Sequence, residues 1–214
     1  MRKQSLSPAE KPAQTPAQNL AEISRTVRPV KHRVALVPVK EEMTGIIVIP
    51  SNANQVHRLG VVTSIGDSVD IDVKVTDVVI YQVNKMFEMS VTHLVGEAQT
   101  PVMIMHQGDA FAKLEGRTIT IDKFTILGDW ILAIDIKLEM MGGLFLPDSA
   151  VPPPEFEVIQ LGNMIAKSDD PVIANLKIGD RVYFDKSRCN QIRIEGKTYF
   201  YILKAGLHGV RTPE

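Results

Sequence analysis

The sequence predicts an all-β protein made of two tandem small β-barrel domains with little helix. Three observations carry this. Short Val- and Ile-rich runs recur with turn residues between them, at Arg33 to Val39, Ile46 to Ile49, Gly60 to Ile65, Asp77 to Gln82 and Pro101 to Met105. Strands this short and this evenly spaced suggest a small antiparallel barrel or sandwich. No stretch of twelve or more residues carries an apolar period of about 3.6, which a packed helix would show. The whole pattern then appears a second time.

Taken in order, the turns Gly66-Asp67 and Gly108-Asp109 punctuate the first set of strands. Trp130 to Ile134 repeats Arg33 to Val37, and Gly142 to Pro147 repeats Gly45 to Pro50, the two prolines lying 97 positions apart. Val158 to Gly162 repeats Val62 to Gly66 at an offset of 96, and Ile178 to Phe184 repeats Val75 to Tyr81 at 103. Tyr199 to Ile202 repeats Val102 to Met105, again at 97. An offset that grows by a few residues and shrinks back marks a duplicated domain with its own loop lengths, not a solenoid.

Residues 1–26 differ from the rest. Pro8, Pro12 and Pro16 stand among Ala, Gln and Ser, with few large apolar side chains to offset the entropy of ordering. The segment lacks the apolar stretch of a secretory signal, and Glu10 and Glu22 do not suit an organellar transit peptide. It reads as a flexible arm, either a tolerated tail or a strap that orders against a neighbouring subunit. The division expected is an arm over 1–26, a first domain over 27–114 and a second over 115–214, joined at the hydrophilic Glu115-Gly116-Arg117.

The bulk composition excludes several classes. The 214 residues carry 24 basic and 25 acidic side chains, a net charge of −1 that suggests neither a nucleic-acid nor an anionic-membrane partner. No apolar run approaches a membrane span. One cysteine, Cys189, allows no internal disulfide and fits a reducing compartment. The histidines at 32, 57, 93, 106 and 208 lack metal-ligand spacing, and no phosphate-binding glycine loop occurs. Glu41-Glu42 and Asp169-Asp170 read as solvated turns, and Lys85 to Met89 as a mild core or subunit-contact patch. Nothing here points to an enzyme or a bound cofactor.

The first repeat resembles the ten-kilodalton co-chaperonins, of which GroES is the type. It opens on Val27-Arg28-Pro29-Val30-Lys31-His32-Arg33-Val34, similar to that family's Arg-Pro entry strand. Gly60-Val61-Val62-Thr63-Ser64-Ile65-Gly66 and Val73 to Ile80 look like its "G-x-V-x-x-x-G" and "V-x-x-G-D-x-V" strands, with Thr76 where the family has Gly. The second repeat keeps the landmarks, with Ile126 and Trp130 standing for Pro and Arg, and Lys177-Ile178-Gly179-Asp180-Arg181-Val182 close to the family form. No single motif is very specific; the ordered set, found twice, is. The resemblance implies a GroES-like barrel in each repeat. It also implies a homo-oligomer, expected to be a ring, and a GroEL-like chaperonin as partner, which rather than this chain would bind ATP.

The same resemblance places two chaperonin-binding loops, Gly45-Ile46-Ile47-Val48-Ile49 and Gly142-Gly143-Leu144-Phe145-Leu146. Each is a short apolar anchor between flexible polar flanks. Taken alone, a Gly-bounded Ile-Val-Ile run is as readily a buried strand. Three such side chains bury about 5–9 kcal/mol, while ordering some six residues costs about 6–12 kcal/mol. One loop therefore binds poorly, and several on one ring bind well because later contacts are intramolecular. Val151 to Pro154 stiffens the far side of the second loop.

One departure concerns the roof hairpin that GroES carries between its "G" and "G-D" strands. Gly66 to Val75 leaves room only for a tight turn, whereas Gly162 to Ile178 leaves room for a reduced hairpin. Two functions are expected from these readings. The first is a cytoplasmic co-chaperonin that caps a chaperonin and assists ATP-dependent folding. The alternative is a structural protein of a phage virion that reuses the barrel as an assembly module.

Overall fold

Apolar side chains alternate along nearly every strand, and the two alternating sets go to different places. This follows from the two-residue period of a strand, which sends neighbours to opposite faces. The computed structural model describes residues 20, 23–39, 55–84, 93–95, 100–115, 120–136, 155–186 and 189–211. Repeat 1 contains β1 (Arg33–Pro38), β2 (Gln55–Ile65), β3 (Val78–Asn84), β4 (His93–Val95), β5 (Thr100–His106) and β6 (Ala110–Leu114). Then come β7 (Phe124–Ile126), β8 (Trp130–Asp135), β9 (Phe156–Leu161), β10 (Arg181–Phe184), β11 (Asn190–Ile194), β12 (Lys197–Leu203) and β13 (Leu207–Arg211).

The sheets have the orders β4-β5-β1-β2-β3-β6-β7 and β11-β12-β8-β9-β10-β13. Leaving β7 aside, the two orders are the same, strand for strand. The irregularities coincide as well: the β1–β2 ladder shifts between Ala35 and Leu36, and the β8–β9 ladder between the matching Leu132 and Ala133. The tandem all-β architecture is thus present down to its bulges.

Inward-facing residues fill one core per repeat. Val34 and Leu36 meet Val62, Val79, Tyr81, Met103, Met105 and Ala110 in repeat 1. Ile131 and Ala133 meet Phe156, Val158, Val182, Phe184, Phe200 and Ile202 in repeat 2. The outward set of repeat 2 (Trp130, Leu132, Tyr199 and Tyr201) packs on Leu59, Ile80, Phe111, Ala112 and Leu114 of repeat 1, forming a third core between the two. Phe111 stacks on Tyr201 at 4.2 Å between ring centroids, nearly parallel, with Trp130 edge-on to both. Such ring pairs contribute about 0.5–1.5 kcal/mol beyond their area.

Two features differ from expectation. The Gly162 to Ile178 segment holds no hairpin: it forms a 3-10 turn at Ile165–Lys167 and a short helix at Pro171–Ala174. Asp170 caps that helix by accepting from the Val172 and Ile173 amides, with Pro171 in the first turn. Asp-Pro is a helix-start signal, and it prevails over strand pairing here. Residues 23–26, the end of the expected flexible arm, form a helical turn, with Ile23 only 2% exposed against Val27, Ala35 and Val102.

Candidate functional site

The two expected docking loops, Gly45 to Ile49 and Gly142 to Leu146, lie outside the described residues. Their stems are described. The first departs after Val39, whose amide donates to the Leu59 carbonyl. The second departs after Ile136, whose amide donates to the matching Glu155 carbonyl. Both segments therefore connect equivalent strands, β1 to β2 and β8 to β9, at the same end of the barrel.

The stems of the second segment are held by charge. Asp135 pairs with Lys186, whose ammonium also stands 5.0 Å over the Phe200 ring. Glu155 accepts from the Tyr183 hydroxyl and from Arg181 Nη1 at 2.9 Å, with Arg211 Nη1 at 3.5 Å. The Tyr183 hydrogen bond, with the arginines behind it, holds the Glu155 carboxyl below its ordinary range, and the same bond pushes the Tyr183 phenol up. This network was not foreseen. Glu155 follows three prolines and reads as loop, while its partners sit far along the chain.

The junction between repeats is the second unforeseen feature. Phe124 to Ile126 belongs by sequence to repeat 2, yet β7 extends the sheet of repeat 1 by pairing with β6, Ala112 opposite Ile126 and Leu114 opposite Phe124. Leu127 continues the ladder, its amide donating to the Phe111 carbonyl, and its side chain enters the repeat 1 core beside Ile71 and Val73. Gln160 fastens the strand from repeat 2 by donating to the Phe124 carbonyl and accepting from the Ile126 amide. Trp130 Nε1 donates across the junction to the Gly108 carbonyl, and Asn163 Nδ2 to that of Asp70. Phe-Thr-Ile is too short to declare this strand from sequence.

The hairpin-like details repeat as well. The Lys31 amide donates to Asp67 Oδ1, and the Gly128 amide to Asn163 Oδ1. Lys31 and Gly128 share a left-handed backbone, at φ 55° and 57°. The Lys74 amide donates to Asp77 Oδ2, and the Lys177 amide to Asp180 Oδ2, which is the structural role of the "G-D" aspartate. Among the described residues no group of three or more His, Cys, Asp and Glu side chains converges as metal ligands would. Cys189 is buried, and burial pushes its thiol up to about 12.

A duplicated six-strand barrel with one loop at the same end of each copy defines a tandem co-chaperonin fold. The family described as the chaperonin 10 kd subunit matches the chain twice, over residues 26–114 and 123–210. The chain belongs to that family, which is one of chaperonin subunits and not of catalytic enzymes. It is 35% identical over 92 residues to a co-chaperonin GroES of Geobacter metallireducens, covering 41% of this chain and 97% of the relative. A GroES of Pelagibacter ubique is 33% identical over 92 residues, 41% of this chain and 96% of the relative. That of Geobacter sulfurreducens is 34% identical over 79 residues, 36% and 83% of the two chains. Each relative thus corresponds to one repeat. Membership supports a co-chaperonin role and, with it, a chaperonin partner and oligomerisation.

Proposed function

We propose that the chain is a cytoplasmic co-chaperonin that assembles with further copies into a ring and caps a GroEL-type chaperonin. Its domains are 27–114 and 115–214, and its anchors are Ile47 to Ile49, within the loop Gly45 to Ile49, and Leu144 to Leu146, within the loop Gly142 to Leu146. The observation that carries this is the double family match together with the placement of both segments between equivalent strands at one end of the barrel. A loop fixed at both stems by strand pairing presents a short apolar anchor at a set position, and multiple anchors on one assembly bind together. ATP is bound by the partner; this chain contributes only the cap.

The test is binding of the full chain to its cognate GroEL-type chaperonin with nucleotide present. The wild type binds, and Val48→Asp loses binding at least tenfold, since a charge must then be buried in an apolar groove. Phe145→Asp reports whether the second segment docks. An intact, oligomeric wild type that does not bind with nucleotide refutes this reading. The ion-paired stems of the second segment favour one other function, a structural protein (a phage virion component, for instance) in which that segment is a fixed contact. Non-binding of the oligomer would be its signature.

A further inference from the structure

Two side chains of repeat 2 donate to repeat 1 at one corner of the seam, and a histidine stands behind each acceptor. Trp130 Nε1 donates to the Gly108 carbonyl at 3.2 Å, and Asn163 Nδ2 to the Asp70 carbonyl at 2.8 Å. Gly108 lies in the 3-10 turn Gln107–Asp109, which is capped by the residue before it: His106 Nδ1 accepts from the Gly108 amide at 3.1 Å. Asp70 Oδ2 stands 3.6 Å from His32 Nδ1, and the Asp70 amide donates to Gln107 Oε1. The Gln107 amide in turn donates to the His32 carbonyl. The two imidazoles lie 6.3 Å apart between centroids.

The two histidines have opposite requirements. A neutral imidazole can offer Nδ1 as an acceptor, whereas the charged ring donates from both nitrogens. The cap on Gly108 therefore exists only while His106 Nδ1 carries no proton. His32, beside the Asp70 carboxylate, gains an ion pair when it is charged. We propose that His106 is a pH-sensitive latch of the junction between the repeats. On gaining a proton it gives up the Gly108 amide, the 3-10 turn resets, and the Gly108 carbonyl withdraws from the Trp130 indole. The Asn163 bond to Asp70 is kept, and so is the apolar core around Leu59, Ile80, Phe111, Leu132 and Tyr201. The repeats stay joined while this corner loosens.

The charged groups around His106 come from each element beside it. Arg33 is its partner across the β1–β5 ladder and disfavours a second positive charge. Asp109, on the capped turn, lies within electrostatic reach of the ring, and Asp70 lies behind His32; both favour the charge. The matching positions of repeat 2 carry no histidine. Leu203 stands for His106 and Asp129 for His32, and Asp129 Oδ1 is paired with Lys204 at 2.9 Å. The matching 3-10 turn, Lys204–Gly206, has no side-chain cap. The latch is thus confined to the repeat that receives Trp130.

This inference rests on the junction alone, and chaperonin binding at neutral pH is decided independently of it. Trp130 is the sole tryptophan. Ultraviolet resonance Raman of the indole N–H therefore reads its hydrogen bond in the full chain, with Trp130 emission recorded alongside. In wild type both signals are expected to shift with one midpoint between about pH 8 and pH 5, where imidazole gains its charge, as the indole loses its bond. His106→Asn puts an acceptor oxygen that never titrates in the place of Nδ1 and suits a helix cap. It is expected to keep the bond throughout and to abolish the shift, whereas His32→Gln keeps the shift. His208 lines one cavity with Trp130, so His208→Gln, also expected to keep the shift, separates a direct effect of that ring. An indole bond that is unchanged in wild type across this range overturns the latch, and that measurement needs no variant. A shift that survives in His106→Asn, or that His208→Gln abolishes, overturns it as well.

Discussion

Thr76 and Gly179 stand at the same place in the two repeats and hold the same left-handed backbone, at φ 81° and 92°. Each amide donates to the carbonyl at the matching strand position, Val62 and Val158, at 2.8 and 2.9 Å. The turn demands a conformation that glycine adopts freely and a β-branched residue does not. Left-handed strain of about 1–2 kcal/mol outweighs the extra unfolded-state freedom of glycine, about 0.5–1 kcal/mol. Thr76→Gly is expected to raise stability by about 0.5–1 kcal/mol, read from the urea midpoint. Gly179→Ala is expected to lower it, although a Cβ there meets nothing within 4 Å.

Gly66 and Gly162 have a different role. A Cβ on Gly66 would stand 2.2 Å from the Lys31 carbonyl oxygen, and one on Gly162 would stand 2.2 Å from that of Gly128. Those contacts are with backbone, which cannot swing aside as a side chain can. Alanine at either site is expected to cost about 3 kcal/mol or more. Gly162→Ala should also loosen the junction, because Gly128 leads out of β7. Protection of the β7 amides from hydrogen exchange checks this.

Phe111→Ala removes the ring stacked on Tyr201 and leaves a void between the repeats. The expected loss is about 3–5 kcal/mol. Wild-type urea unfolding monitored by Trp130, which sits in the shared core, and by far-UV dichroism should coincide. In the variant the Trp130 signal is expected to change first.

Glu155 gives acid sensitivity of a definite sign. Its carboxyl is held below the ordinary value of 4.5 in the folded chain, first by the Tyr183 hydroxyl and then by Arg181. The stabilisation is fully present above that ordinary value and is lost as pH falls through the lower folded value. Glu155→Gln is expected to flatten the dependence of stability on pH below about 4.5, relative to wild type. Equal slopes in the two proteins would contradict it.

Cys189 is buried, with its sulfur 3.1 Å from the Asp185 carbonyl oxygen, and its thiol is pushed up to about 12. Thiolate is the reactive form. A thiol reagent at pH 8 is expected to leave the native chain unmodified and to label it stoichiometrically in urea.

Much of the fold was legible because alternation and repetition are local properties. Trp130-Ile131-Leu132-Ala133 declares a strand with two covered faces, and an offset near 97 declares its twin. What covers each face is not local. Leu132 and Ala35 are equivalent positions and both are fully buried, yet one lies under another repeat and the other under Ile23. The three-residue β7 is too short to show a period, and its partner lies across a domain boundary drawn from composition. Asp170-Pro171 was legible as punctuation, but the longer segment invited a hairpin where a cap-and-proline start made a helix. The loops are placed by the family resemblance of the flanking strands, and their anchoring residues lie outside the described part of the chain.

Leu59 and Glu155 occupy one position in two copies of one barrel, and fusion lets them differ within a single chain. In an assembly of single barrels, every substitution appears on every subunit at once, so both sides of each seam must evolve together under one sequence. Here each face is encoded separately. The Leu59 face is closed and greasy, while the Glu155 face keeps a charged surface. Fusion thus lets a symmetric architecture carry asymmetric instructions, without a second gene product and without losing the shared backbone plan.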